Sequence, residues 1–361
     1  MKVAFRVDAG LVIGTGHMMR CLTLAQRLRS SGANCIFLAR NHLGNLHGLV
    51  EEHGFQLLPL GAVDLATLPP ISSDSQWLGV EPLFDAKDTL KQLSGVTVDW
   101  LIVDHYGLGL QWERAVKSTC NRMLIIDDLA NRSHAADAIL NQNLGKMATD
   151  YNYLVPPHCD LMIGPLYAIL RSEFAQMRGK SFSSRSQRPL RNILVTMGGV
   201  DLDDASGAVL DAIAALDSPE DLKVTVVLGR TAIWREKVKA QANEMPFHTE
   251  VFDDVKQMAD LMCQADISIG AAGSTSWERC CMGLPTILLI LADNQQAIAE
   301  ALNYAGAALL IGRSDLTENI RRIFAELKSN PLLLSKMSDA AAKITDGNGA
   351  DRVACQLERG L

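Results

Sequence analysis

Apolar residues alternate along the chain between short β-branched or aliphatic runs and longer stretches of helical periodicity, the pattern of a parallel sheet joined by crossover helices. It occurs twice. In the first half the predicted strands are Val3–Val7, Cys35–Leu38, Trp100–Val103, Met123–Ile126 and Leu161–Ile163. In the second half they are Ile193–Thr196, Val224–Leu228, Ile267–Ile269, Thr286–Ile290 and Ala308–Ile311. Near-continuous apolar character suits strands covered on both faces. The expected fold class is therefore α/β, with two Rossmann-like, doubly wound parallel-sheet domains. The first helix, from about Met18 to Ser30, puts Met18, Leu22, Ala25 and Leu28 on one stripe and ends before Gly32, a suitable left-handed cap.

Between the two halves, 174–191 is polar and rich in small residues, with Arg178, Ser181, Ser183, Ser184, Arg185 and Pro189 and no periodicity. It reads as a linker. The expected organisation is a domain over 1–173, a linker over 174–190, and a second domain with a terminal helix over 191–361. A length of 361 residues favours two domains independently. A second irregular stretch, from Leu60 to Trp77, reads as a surface loop, and no internal repeat is visible.

Composition narrows the partners. Lys+Arg 34 against Asp+Glu 41 gives a net charge of −7, which opposes the broad basic field that nucleic acid or an anionic membrane requires. Any anionic ligand must be held locally. The opening residues, Met1 to Asp8, are too charged for the apolar core of a secretory signal, and no apolar run reaches membrane-spanning length. A cytoplasmic protein without membrane segments is expected. Its eight cysteines lie in apolar stretches without a C-x-x-C pair, as buried thiols in a reducing compartment would.

In open parallel sheets ligands bind beyond the carboxyl ends of strands, and several segments stand there. In Ile13-Gly14-Thr15-Gly16-His17, Gly14 and Gly16 let backbone approach a ligand and His17 opens a helix with a side chain able to take a proton near neutral pH. The dinucleotide fingerprint is absent, because Met19 stands where a third glycine is needed. A plain turn with a packed imidazole is the competing reading. After Ile267–Ile269, the small residues Gly270-Ala271-Ala272-Gly273-Ser274-Thr275 expose amides where a helix begins, which attracts phosphate without a basic side chain. Glu278, one turn in, is within reach of ribose hydroxyls; a Ser/Thr cap followed by an exposed glutamate is the alternative.

Gly198 and Gly199, after Ile193–Thr196, also permit close ligand approach, and Asp201 to Asp204 beyond them read as an acidic helix start in preference to a metal site. Asp104-His105-Tyr106 follows Trp100–Val103, with Tyr106 a candidate sugar contact on the rim shared with His17. Asn294 and Gln295, after Thr286–Ile290, offer amides to a diphosphate or sugar, or cap a helix. The pairs Asp127-Asp128 and Asp253-Asp254, with His42, His47 and His53, lack ligand spacing and read as solvated. No metal and no cofactor are expected.

These segments resemble the nucleotide-sugar enzymes of the GT-B fold. The resembling stretches are Ile13 to His17 with Arg20, Trp77 to Val80, Asp104 to Tyr106, Gly164 to Ala168, Met197 to Asp201 and Ala272 to Glu278. More narrowly, the chain is similar to the hydrolases of UDP-activated diacetamido-trideoxy sugars in pseudaminic acid synthesis. That resemblance implies two domains facing a cleft, a small-molecule UDP-sugar substrate, and inverting hydrolysis at the anomeric carbon. From the resemblance, His17 would be the base and Gly273, Ser274, Thr275 and Glu278 would hold UDP. From their places after strands, Gly14, Gly16, Arg20, Tyr106, Asn294 and Gln295 are expected to contact substrate and Gly198 and Gly199 to contact UDP. Asn141 departs from the family's pattern, where an aspartate is expected, and receives no catalytic role. The rivals are a GT-B glycosyltransferase, a UDP-sugar epimerase and a non-catalytic UDP-sugar-binding protein.

Overall fold

All ten predicted strands form, and three that the apolar pattern did not mark complete the sheets. The computed structural model describes residues 1–62, 77–185, 188–216 and 222–360. Its contacts divide into two units, Met1–Ile169 with Gly349–Leu361, and Leu170–Asn348.

The first unit holds β1 (Lys2–Val7), β2 (Asn34–Asn41), β3 (Gln56–Ala62), β4 (Val98–Asp104), β5 (Cys120–Ile126), β6 (Ala138–Asn141) and β7 (Asp160–Ile163), all parallel in the order β3-β2-β1-β4-β5-β6-β7. The second holds β8 (Asn192–Thr196), β9 (Lys223–Leu228), β10 (His248–Asp253), β11 (Ile267–Ala271), β12 (Thr286–Leu289) and β13 (Ala308–Ile311), parallel in the order β10-β9-β8-β11-β12-β13. In each sheet the winding reverses once, at β1/β4 and at β8/β11. Strand ends at such a reversal form the crevice where α/β sheets take ligands.

The unmarked strands have readable causes. β3 and β10 are edge strands: β3 contains Pro59, and β10 alternates exposed with half-buried positions. β6 is buried throughout but only four residues long. The interior strands alternate between two buried faces. Val3, Phe5 and Val7 pack with Met18, Leu22, Ala25 and Leu28 of the helix Gly16–Ser30, while Ala4 faces Leu101, Val103 and Trp112. Each of the larger apolar side chains contributes roughly 1.5–3 kcal/mol by leaving water.

The stretch expected as an irregular linker is instead a helix, Ser172–Arg185, in the second unit. Its polarity is put to use inside. The Arg185 guanidinium donates to the carbonyls of Met262 and Ala265, which end one helix, and of Met282 and Gly283, which end another. Burial lowers its pKa to about 10. The last helix, Gly349–Arg359, also departs from expectation: Val353, Ala354 and Leu357 lie in the core of the first unit, and the Trp100 indole donates to Leu357 O at 3.0 Å. Of the expected loop from Leu60 to Trp77, residues 63–76 lie outside the described residues, and Leu60 to Ala62 close β3.

Candidate functional site

The segment after β1 is shaped by a tight turn. Gly10 and Gly14 exchange backbone hydrogen bonds of 3.2 and 2.8 Å, and Gly14 sits at φ +81°, where a side chain would be strained. Gly16 and His17 then open the helix that packs under the sheet. His17 Nδ1 lies 2.7 Å from Asp104 Oδ1, at the end of β4, the neighbour of β1 at the reversal point. A carboxylate so close places the proton on Nδ1 and leaves Nε2 as the basic nitrogen. With its side chain 11% exposed, His17 can be reached by a small molecule.

Arg20, one turn on, fixes this pair. Its Nε and Nη2 donate to Asp104 at 2.6 and 2.7 Å, while Nη2 and Nη1 donate to Asp128 at 2.8 and 3.1 Å. Tyr106 Oη donates to Asp128 at 2.9 Å, and its ring meets His17 edge-on at 4.8 Å and Trp77 at 5.5 Å. Asn143 adds a hydrogen bond to Asp128. Burial pushes both carboxyls up, but Arg20 outweighs it and holds Asp104 and Asp128 below the usual carboxylate range. Burial and the Asp128 charge raise the Tyr106 phenol, which therefore stays protonated and serves as a donor. An imidazole oriented by an ionised carboxylate, with its far nitrogen open, is suited to accept a proton.

In the second unit the chain leaves β11 through Gly273 into the helix Thr275–Cys281. The Ser274 hydroxyl makes no capping bond, and a Cβ at Gly273 would point into open space. The amides ahead of Ser276 have no helical carbonyl behind them to bond. Glu278 lies on the same helix with its side chain 16% exposed, and Arg171 Nη2 is 3.5 Å away. Burial raises its pKa, with Arg171 opposing. Gly198, at φ +95°, and Gly199 follow β8, the other strand of the reversal point. The Gly199 backbone is closely approached by Gly229, where a Cβ would stand 2.2 Å from Gly199 O.

The structure thus gathers Gly14, Gly16, His17, Arg20 and Tyr106 at one sheet's reversal point, and Gly198, Gly199, Gly273, Ser274, Thr275 and Glu278 at the other's. Asn294 is exposed after β12, while Gln295 Oε1 accepts the Leu291 N–H and so serves its own turn. Asp201 accepts the amides of Ala205 and Ser206 as a helix start should, and Asn141 is buried between Tyr151 Oη and Asn143 N. The expectation that Asp127 and Asp128 are solvated is wrong. Asp127 is fully buried, and Asp128 is drawn in by Arg20, 108 residues away in sequence. His42, His47 and His53 are also partly buried, with His42 Nε2 3.4 Å from buried Asp8. The signal for Asp128 was available: it lies two residues beyond the strand Met123–Ile126, at a carboxyl end.

This architecture is the GT-B fold. The MurG crystal structure from Acinetobacter baumannii superposes with a TM-score of 0.67 at 19% identity, covering 99% of each chain. Residues 192–353 match the model of the glycosyltransferase family 28 C-terminal domain. The UDP-2,4-diacetamido-2,4,6-trideoxy-beta-L-altropyranose hydrolase of Campylobacter jejuni is 24% identical over 313 residues, 87% of this chain and 97% of that protein. An uncharacterized protein of Methanocaldococcus jannaschii is 24% identical over 293 residues, 80% of this chain, which spans only 55% of that relative's length. No described helix is long and apolar enough to cross a membrane.

Proposed function

We propose that this chain hydrolyses a UDP-activated sugar at the anomeric carbon, with UDP held by the second unit and water activated by His17. The observation that carries the reading is the 2.7 Å contact between His17 Nδ1 and Asp104, which leaves Nε2 as a base at a reversal point. Water gives its proton to Nε2 as its oxygen bonds the anomeric carbon. The bond from that carbon to the diphosphate oxygen breaks, and the electron pair leaves with UDP. Attack from the face opposite the leaving group inverts the centre. Amides of Gly273, Ser274 and Thr275 stabilise the departing diphosphate, and Glu278 meets ribose hydroxyls. Asp104 keeps the imidazole in its tautomer and supports the imidazolium that forms. A diacetamido-trideoxy sugar is the proposed substrate, a reading supported by the Campylobacter jejuni relative.

A second reading, transfer of the sugar to an acceptor hydroxyl, is favoured by the match to the glycosyltransferase family 28 C-terminal domain. One experiment separates them. The purified chain is incubated with the UDP-sugar and no acceptor, and UDP release and the anomer of the free sugar are followed by NMR. Release into water with inversion supports hydrolysis. An absolute acceptor requirement supports transfer, and binding without turnover would reduce the chain to a UDP-sugar-binding protein.

A further inference from the structure

The helix after the Gly273 turn sends one charged side chain inward. Arg279 is 1% exposed, and its guanidinium folds back beneath residues 270–276. Nη2 donates to the carbonyl of Ala271 at 2.6 Å and to Ser276 Oγ at 3.0 Å. Nη1 occupies the space that a side chain at Gly270 would need, since a Cβ there would stand 2.0 Å from it. One residue therefore grips both ends of the turn. The peptide between Ala271 and Ala272 is held from its other side as well, its N–H donating to Leu289 O in β12 at 3.3 Å.

The clamp uses only part of the guanidinium. Nε and Nη1 are buried without a hydrogen-bond partner, and among the described residues no carboxylate pairs with Arg279. Glu278, its neighbour in sequence, turns to Arg171 instead. A small cavity alongside, lined by Ser276, Leu284, Thr286, Leu288 and Leu302 among others, brings no acidic group. Glu278 acts on Arg279 only through space, and a buried cation without a directly paired carboxylate is costly; here it lies under the turn that faces open space at Gly273.

We infer that Arg279 is a positioning residue for diphosphate recognition: it holds the 271–276 turn in its binding shape and keeps beneath it a positive charge that the ligand's diphosphate completes. This rests on the reading of that turn as the UDP-diphosphate segment. The test is calorimetric titration of the full chain with UDP and, separately, with uridine, for the wild type, Arg279→Met and Arg279→Lys. Arg279→Met is expected to weaken UDP by about tenfold or more while uridine changes by less than about twofold, and Arg279→Lys recovers part of the loss. If the methionine variant does not fold, the lysine variant decides, with UDP weakened and uridine unchanged as the supporting result. Unchanged UDP affinity, or equal losses for UDP and uridine, overturns the inference and leaves the UDP site standing. A wild-type chain that binds neither molecule removes the UDP reading itself, and this inference with it.

Discussion

At the scale of single residues, the candidate base depends on what surrounds it. His17 contributes one nitrogen to Asp104 and keeps the other, so His17→Asn removes the proton acceptor without touching the second unit. Turnover is expected to fall by about 10²–10⁴-fold with UDP affinity unchanged, read from steady-state rates and calorimetric titration. Retained turnover would end the base assignment. Asp104→Asn separates orientation from basicity: with the imidazole intact but its tautomer no longer imposed, kcat is expected to drop by about 10²-fold or more while KM stays close to wild type. His17 and Tyr106 were legible because each lies beyond a strand's carboxyl end, His17 after a Gly-Thr-Gly turn that opens a helix and Tyr106 just past β4. Asp128 was not. Nothing near it in sequence announces that Arg20 forks between it and Asp104, and a charge pair that burial creates cannot be read from spacing. Arg279 is similar, since only the folded turn shows that its guanidinium returns to Ala271.

At the scale of elements, the first sheet carries a buried charge network on the face that otherwise packs Ala4, Leu101 and Trp112. Arg6 of β1 and Arg40 of β2 both donate to Asp85 in the helix Pro82–Gln92, each with a contact of 2.7 Å, and Trp112 Nε1 joins at 2.9 Å. Strands and helix are thereby tied at one carboxylate. Burial pushes the Asp85 carboxyl up, yet Arg6 and Arg40 hold it below its ordinary value. A carboxylate depressed in the folded state stabilises fully above the unfolded pKa of about 3.9, and loses that contribution as pH falls through the folded value. Asp85→Asn is therefore expected to cost about 1–3 kcal/mol at neutral pH, because Arg6 and Arg40 both lose a charged acceptor while Arg6 keeps Asp8 at 2.6 Å and Arg40 keeps Asp88 at 3.0 Å. In urea unfolding the gap between variant and wild type should narrow once pH drops below about 4. A gap of constant size down to pH 3 would show that Asp85 is not the titrating anchor. The longer interior strands of this sheet were readable because burial on both faces makes them apolar, whereas β6 has only four residues and the edge strand β3 carries Pro59.

At the scale of the whole molecule, the chain does not finish where a reading in order along the sequence places its end. Gly349–Arg359 returns to the first unit, and the reason lies in local fit. Gly349 lies against the backbone of Ala168, where a Cβ would come within 2.1 Å of the carbonyl oxygen, and Val353 and Leu357 then complete the core around Trp100. Helical periodicity predicts an amphipathic helix here equally well against either sheet, so sequence alone leaves its address open. Its removal from the wrong unit has a measurable consequence. Leu357→Ala leaves a cavity in the first core and is expected to cost that unit about 2–5 kcal/mol. The second unit keeps its core and its turn at Gly273, so UDP affinity should not change. In thermal unfolding with and without UDP, the variant should lower one transition and leave the UDP-protected one in place, since two units with separate cores need not melt together. A UDP-protected transition that shifts by the same amount would mean that the last helix supports the second unit instead.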